Sequence, residues 1–73
     1  MNVTMEAIQQ IWCEVLGLEE IAPDAKFYDL GGNSVTFLII VDEVFQRFQI
    51  EIPIEELNQL GTVARMTNYV NER

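Results

Sequence analysis

The sequence predicts an all-α fold of four helices, with a long loop between helices 1 and 2 and a short helix 3. Three observations predict it. Two segments, 4–16 and 34–48, repeat their apolar residues with the period of a buried helix stripe. The run that alternates like a strand, Ile50-Glu51-Ile52-Pro53-Ile54, is interrupted by proline and has no evident partner strand. Threonine and glycine stand where helices would begin and end.

In helix 1 the residues Ile8, Ile11, Trp12, Val15 and Leu16 form the stripe. Thr4 can cap its start, Glu6 suits the positive end of its dipole, and Gly17 can adopt the left-handed conformation that closes it. Residues 18–33 have no sustained period, yet carry Leu18, Ile21, Phe27, Tyr28 and Leu30. They read as a long loop held by apolar anchors, and an ordered loop of that length in a small domain is usually functional. Helix 2 is expected over Ser34–Phe48, with Ser34 as its N-cap and Phe37, Ile40, Val41, Val44 and Phe48 facing inward. The stretch 50–54 is expected to be a connector that packs Ile50, Ile52 and Ile54 onto the core. Residues 54–60 make one or two helical turns ending near Gly61. Thr62 then caps a last helix with Val63, Met66 and Val70 inward.

Seventy-three residues make one domain, which we take as 1–73 and freestanding. A composition 49% hydrophobic and 22% charged supplies a packed core and argues against disorder. Twelve acidic residues oppose four basic ones, for a net charge of -8. Such a surface repels phosphate backbones and anionic bilayers, so nucleic acid and membrane are excluded as partners, and basic protein surfaces are favoured. The single cysteine, Cys13, cannot form an internal disulfide, which points to a reducing, cytoplasmic setting. Cys13 reads as a partly buried, inert thiol, and Trp12 as core. Histidine is absent, removing the commonest general base and transition-metal ligand. The acidic pairs Glu19-Glu20 and Glu55-Glu56 lack calcium-loop spacing and read as solvated, so no metal is assigned. A monomer is expected.

The chemistry concentrates in Gly31-Gly32-Asn33-Ser34, where the long loop meets helix 2. A serine hydroxyl at a helix N-terminus with small neighbours is open to a partner enzyme. Free backbone N–H groups and the dipole there would suit a phosphate ester. The four residues alone fit a turn followed by a capping serine better. A serine nucleophile needs a base, and with no histidine and only Lys26 as a lysine, self-contained hydrolase chemistry is disfavoured. Ser34 therefore reads as a substrate for another enzyme.

The wider pattern selects between these readings. Ile11-Trp12-Cys13-Glu14-Val15-Leu16-Gly17-Leu18, Ile21, Asp24 and Phe27-Tyr28-Asp29-Leu30-Gly31-Gly32-Asn33-Ser34 resemble the thiolation, or peptidyl carrier, domains of nonribosomal peptide synthetases. Phe48, Ile52-Pro53-Ile54, Leu57 and Thr62-Val63-Ala64 continue the resemblance, which covers about residues 8–70. It implies a four-helix acyl-carrier-protein-like bundle, non-catalytic itself. A phosphopantetheinyl transferase would attach 4'-phosphopantetheine to Ser34, the arm's thiol holding aminoacyl or acyl groups as thioesters. The implied partners are that transferase, an adenylating or acyl-loading enzyme, and downstream condensing or tailoring enzymes.

Some positions depart from the family's pattern. Asn58 replaces an aromatic and Gly61 a proline, which implies a looser corner between the third and last helices. Val35 replaces leucine, and Ile39 stands where a polar residue is usual. The acidity is closer to acyl carrier proteins of fatty acid and polyketide synthesis, although those usually carry Asp-Ser-Leu where this chain has Asn33-Ser34-Val35. The core stripe of helix 2 leaves Val35, Leu38, Ile39, Asp42 and Glu43 on outward or flanking positions, a docking patch with an apolar centre and an acidic rim. Leu38 and Phe45 fit a thicker core equally well. Two alternatives remain: an acyl carrier protein of a polyketide or fatty acid pathway, and an unmodified helical interaction module.

Overall fold

A computed structural model describes residues 2–72. Thr4 caps α1 (Met5–Leu16) by accepting the Ala7 N–H on its hydroxyl, and Gly17, with φ of 71°, ends it in the left-handed conformation. Ile8, Ile11 and Trp12 are buried, with Val15 and Leu16 half-buried behind them. The loop that follows contains a 3-10 helix, Tyr28–Leu30, and leads into α2 (Ser34–Phe48). In α2 the buried residues are Phe37, Ile40 and Val44, flanked by half-buried Val41 and Phe48. Thr62 caps α3 (Val63–Asn71), which buries Val63, Met66, Thr67 and Val70.

The expected short third helix is a 3-10 helix, Ile54–Asn58, so among the described residues the all-helical fold consists of three α-helices and two 3-10 segments. The segment is bounded by Pro53 and Gly61, too few residues to repay the nucleation of an α-helix, and the tighter 3-10 turn is what short connectors adopt. Ile50 and Ile52 pack inward as expected, but Ile54 is exposed. The alternation that aligns the three isoleucines holds only along extended backbone, and the turn beginning at Ile54 breaks it.

Aromatic packing fixes the long loop. The Phe27 ring stands edge-on to Trp12 (centroids 5.1 Å) and to Phe37 (5.9 Å), joining the loop to α1 and α2 in one buried cluster. Burying side chains of this size contributes roughly 1.5–3 kcal/mol each. Trp12 Nε1–H, which could not be buried without a partner, donates to Met66 Sδ at 3.2 Å, linking α1 to α3. The loop backbone is pinned as well. Gln9 Nε2 donates to the Ile21 carbonyl, the Phe27 N–H to Gly61 at 2.7 Å, and the Ala64 N–H to Pro23. The corner at Gly61, expected to be looser, is thus tied to the loop. Near the chain's ends, Val3 and Asn71 exchange two hydrogen bonds, at 2.7 and 2.9 Å.

Among the described residues no helix is long and apolar enough to cross a membrane, and no group of three or more His, Cys, Asp or Glu residues could hold a metal ion.

Candidate functional site

Ser34 is the first residue of α2, and the cap is its neighbour Asn33. With extended backbone (φ -150°, ψ -179°), Asn33 turns its side chain over the helix end. Its Oδ1 accepts the N–H groups of Val35 at 2.9 Å and Thr36 at 3.0 Å. Thr36 reciprocates, its Oγ1 accepting the Asn33 N–H at 2.8 Å and donating to the Asn33 carbonyl at 2.9 Å. Asparagine caps as well as serine, and its longer side chain reaches both amides, so the capping expected of Ser34 passes to Asn33. An asparagine followed three residues later by a hydroxyl residue was the capping-box signal in the sequence.

Two consequences follow for Ser34. Its hydroxyl makes no hydrogen bond and its side chain is exposed, so nothing holds Oγ away from an incoming enzyme. The Val35 and Thr36 amides, expected to be free for a phosphate, are occupied by Asn33 Oδ1, which leaves the Ser34 N–H and the helix dipole to attract an anion to this end of α2. A covalently held phosphodiester arm fits such a position, since its attachment needs an accessible, uncommitted hydroxyl and no enclosed pocket.

The two preceding glycines do different work. Gly31 takes φ of 89°, closing the 3-10 helix with its N–H on the Tyr28 carbonyl at 3.2 Å. Gly32 is buried against the Phe27 ring, where a Cβ would clash, so this glycine admits close approach of its own loop to the core.

On α2, Val35 (65%), Leu38 (53%) and Ile39 (47%) are all well exposed, as is Asp42. Phe45 is exposed too, so neither Leu38 nor Phe45 joins the core. Glu43 is only half-exposed and is paired with Arg47 at 3.3 Å, which also reaches Glu14 of α1 at 2.9 Å. The acidic rim is therefore weaker on the Ile39 side. Opposite it, Leu38, Val41 and Phe45 line a shallow apolar groove edged by Asp42 and Glu51. Cys13 is half-buried. Burial pushes its thiol above the ordinary value, with the Glu20 and Glu14 carboxylates adding to the effect, which disfavours the reactive thiolate.

The family described as a phosphopantetheine attachment site matches residues 6–70, and the chain belongs to it. Bacitracin synthase 1 of Bacillus licheniformis is 31% identical over 72 residues, which are 99% of this chain and 1% of that protein. Surfactin synthase subunit 3 of Bacillus subtilis (strain 168) is 32% identical over 69 residues, 94% of this chain and 5% of that protein. The chain thus spans only a small fraction of these relatives. Among solved structures, BlmI, a type-II acyl-carrier-protein from Streptomyces verticillus involved in bleomycin biosynthesis, superposes with a TM-score of 0.86 at 35% identity, over 93% of this chain and 82% of that one. A chain in the structure of the phosphopantetheine transferase Sfp with coenzyme A and a peptidyl carrier protein gives 0.92 at 26% identity, over 100% and 95%. This is a phosphopantetheine attachment domain, related to the carrier domains of nonribosomal peptide synthetases.

Proposed function

We propose that Ser34 takes the 4'-phosphopantetheine group and that residues 1–73 form one carrier domain, non-catalytic itself, serving nonribosomal peptide or related natural-product synthesis. The observation that carries this reading is the division of labour at the start of α2, where Asn33 caps the helix and the exposed Ser34 hydroxyl is left uncommitted. When bound, the arm supplies a terminal thiol that holds aminoacyl or acyl groups as thioesters. Ser34 presents Oγ to a transferase, and a new Oγ–phosphorus bond replaces the pyrophosphate bond of coenzyme A, releasing the adenosine bisphosphate. The hydroxyl proton passes to the transferase or solvent, since no histidine is available on this chain.

The partners supported by this surface are the transferase, an adenylating or acyl-loading enzyme, and condensing or tailoring enzymes. Val35, Leu38, Ile39 and Asp42 offer them an apolar centre with an acidic edge beside the attachment point. The fold corresponds to a carrier-type four-helix bundle whose third helix is the Ile54–Asn58 turn, and the acidic, disulfide-free chain suits a cytoplasmic assembly. Ser34 is the only serine in the chain, so a peptide map decides the site directly. After treatment with a transferase and coenzyme A, the tryptic peptide 27–47 carries the added mass on Ser34. Mass on Thr36, or none, refutes the assignment.

A further inference from the structure

A broad concavity lies away from the exposed apolar face of α2, between the long loop, the second 3-10 helix and the start of α3. It encloses about 620 Å³, within the range of roughly 300–1,000 Å³ typical of small-molecule sites. Leu57 and Ala64 give it an apolar wall, with Phe27 buried behind it, and Lys26 and Arg65 both line it. These are two of the four basic residues in a chain of net charge -8. The side chains of Lys26 and Arg65 make no ion pair or hydrogen bond, whereas Arg47 is paired twice. One carboxylate, Asp24, shares the groove, so the cations outnumber it there. Elsewhere the acidic surface repels an anion, and here two unpaired cations face a concavity with an apolar wall.

The groove is lined in part by the loop that leads to the attachment point. Lys26, Phe27 and Tyr28 of that loop line it, and the Gly32 N–H donates to the Phe27 carbonyl two residues before Ser34. A group tethered to Ser34 by a long flexible arm can fold back to it, and tethering raises its effective concentration there.

We propose that this groove receives cargo bearing a terminal carboxylate, with Lys26 and Arg65 binding the carboxylate and Leu57 and Ala64 covering the carbon chain. A concave, partly apolar site suits a slender acyl group better than the acidic side chain of a docked protein, which meets a surface rather than entering it. The inference rests on Ser34 holding the arm. It makes the domain selective among cargoes, sheltering acidic ones from solvent and partner enzymes.

The test attaches two isosteric cargoes, glutaryl and its terminal amide, each through an amide-linked pantetheine analogue that does not hydrolyse. Intact mass first verifies that the full chain carries one arm. Backbone amide chemical shifts are then compared with those of the unacylated holo form. The expected result is a set of shifts at Lys26, Leu57, Ala64 and Arg65 with the glutaryl group that is lost with the amide, lost in the Lys26→Gln/Arg65→Gln double variant, and weakened by salt. Equal shifts from both cargoes, or shifts confined to α2, overturn the proposal while leaving the arm in place. An acidic peptide that moves these signals when the loaded cargo does not assigns the cations to a protein partner and equally overturns it. A folded protein that takes no arm overturns the reading of Ser34 as well.

Discussion

Gly32 and Phe27 are locked together twice. The Gly32 N–H donates to the Phe27 carbonyl at 3.0 Å, and its α-carbon sits so close to the Phe27 ring that no Cβ fits between them. The ring cannot retreat, because Trp12 and Phe37 stand edge-on around it. This contact joins the loop before Ser34 to the hydrophobic core. Gly32→Ala is accordingly expected to destabilise the domain by about 1–3 kcal/mol, the usual cost of overpacking. Urea unfolding measures it, and adding Phe27→Leu to make room should recover part of the loss, as coupled neighbours do.

Replacing the two residues at the start of α2 should have opposite consequences. Asn33→Ala removes the acceptor for two helix amides and is expected to cost about 0.5–2 kcal/mol. Ser34→Ala removes an exposed hydroxyl with no partner and should change stability by less than about 0.5 kcal/mol. Thermal unfolding of the two variants checks the contrast. A large loss in Ser34→Ala would mean that Ser34 caps the helix after all.

Gln49 closes α2 with φ of 57°, the one non-glycine residue among those described in the left-handed region. A side chain there is strained, and glycine is not. Gln49→Gly is therefore expected to raise stability by up to about 1 kcal/mol. The gain is reduced by loss of the Gln49 Nε2 hydrogen bond to the Gln46 carbonyl, and the urea midpoint reports the sum.

Cys13 gives a dependence on pH. Burial, then Glu20 and Glu14, hold its thiol above the ordinary 9.0, so the folded protein keeps this proton at pH values where the unfolded chain has lost it. The contribution is complete below the unfolded value and disappears as the pH rises through the folded one. Stability should fall on raising the pH above 9.0, and fall less in Cys13→Ser. Iodoacetamide should alkylate the native protein more slowly than the urea-unfolded chain at mildly alkaline pH.

Most of the helical framework is legible in the sequence because α1 and α2 both show the helical period, and α1 also carries residues suited to its two ends. Thr4, Gly17 and Thr62 all act as their residue types suggest. The third helix was less legible. Residues 54–60 are helix-compatible in composition, but the choice between α and 3-10 depends on how many turns fit between Pro53 and the corner at Gly61, which tertiary bonds settle. At the site, the position of Ser34 was readable and its local role was not. Serine and asparagine are equally good caps, so adjacent candidates leave the choice to geometry. Exposure of Leu38 and Phe45 was undecidable from a stripe this broad, since helical phase alone does not say how thick the core is. The groove around Lys26 and Arg65 was invisible, because its residues are 39 positions apart and meet only where the Ala64 N–H bonds Pro23 and the Phe27 N–H bonds Gly61.

The most direct test of the carrier reading is the intact mass of the purified protein before and after incubation with a broad-specificity phosphopantetheinyl transferase, coenzyme A and magnesium, with Ser34→Ala treated in parallel. The account predicts that the wild type gains one phosphopantetheine group while the variant, folded to the same extent by circular dichroism, gains none. An unchanged mass for the folded wild type, or an equal gain in the variant, would contradict it.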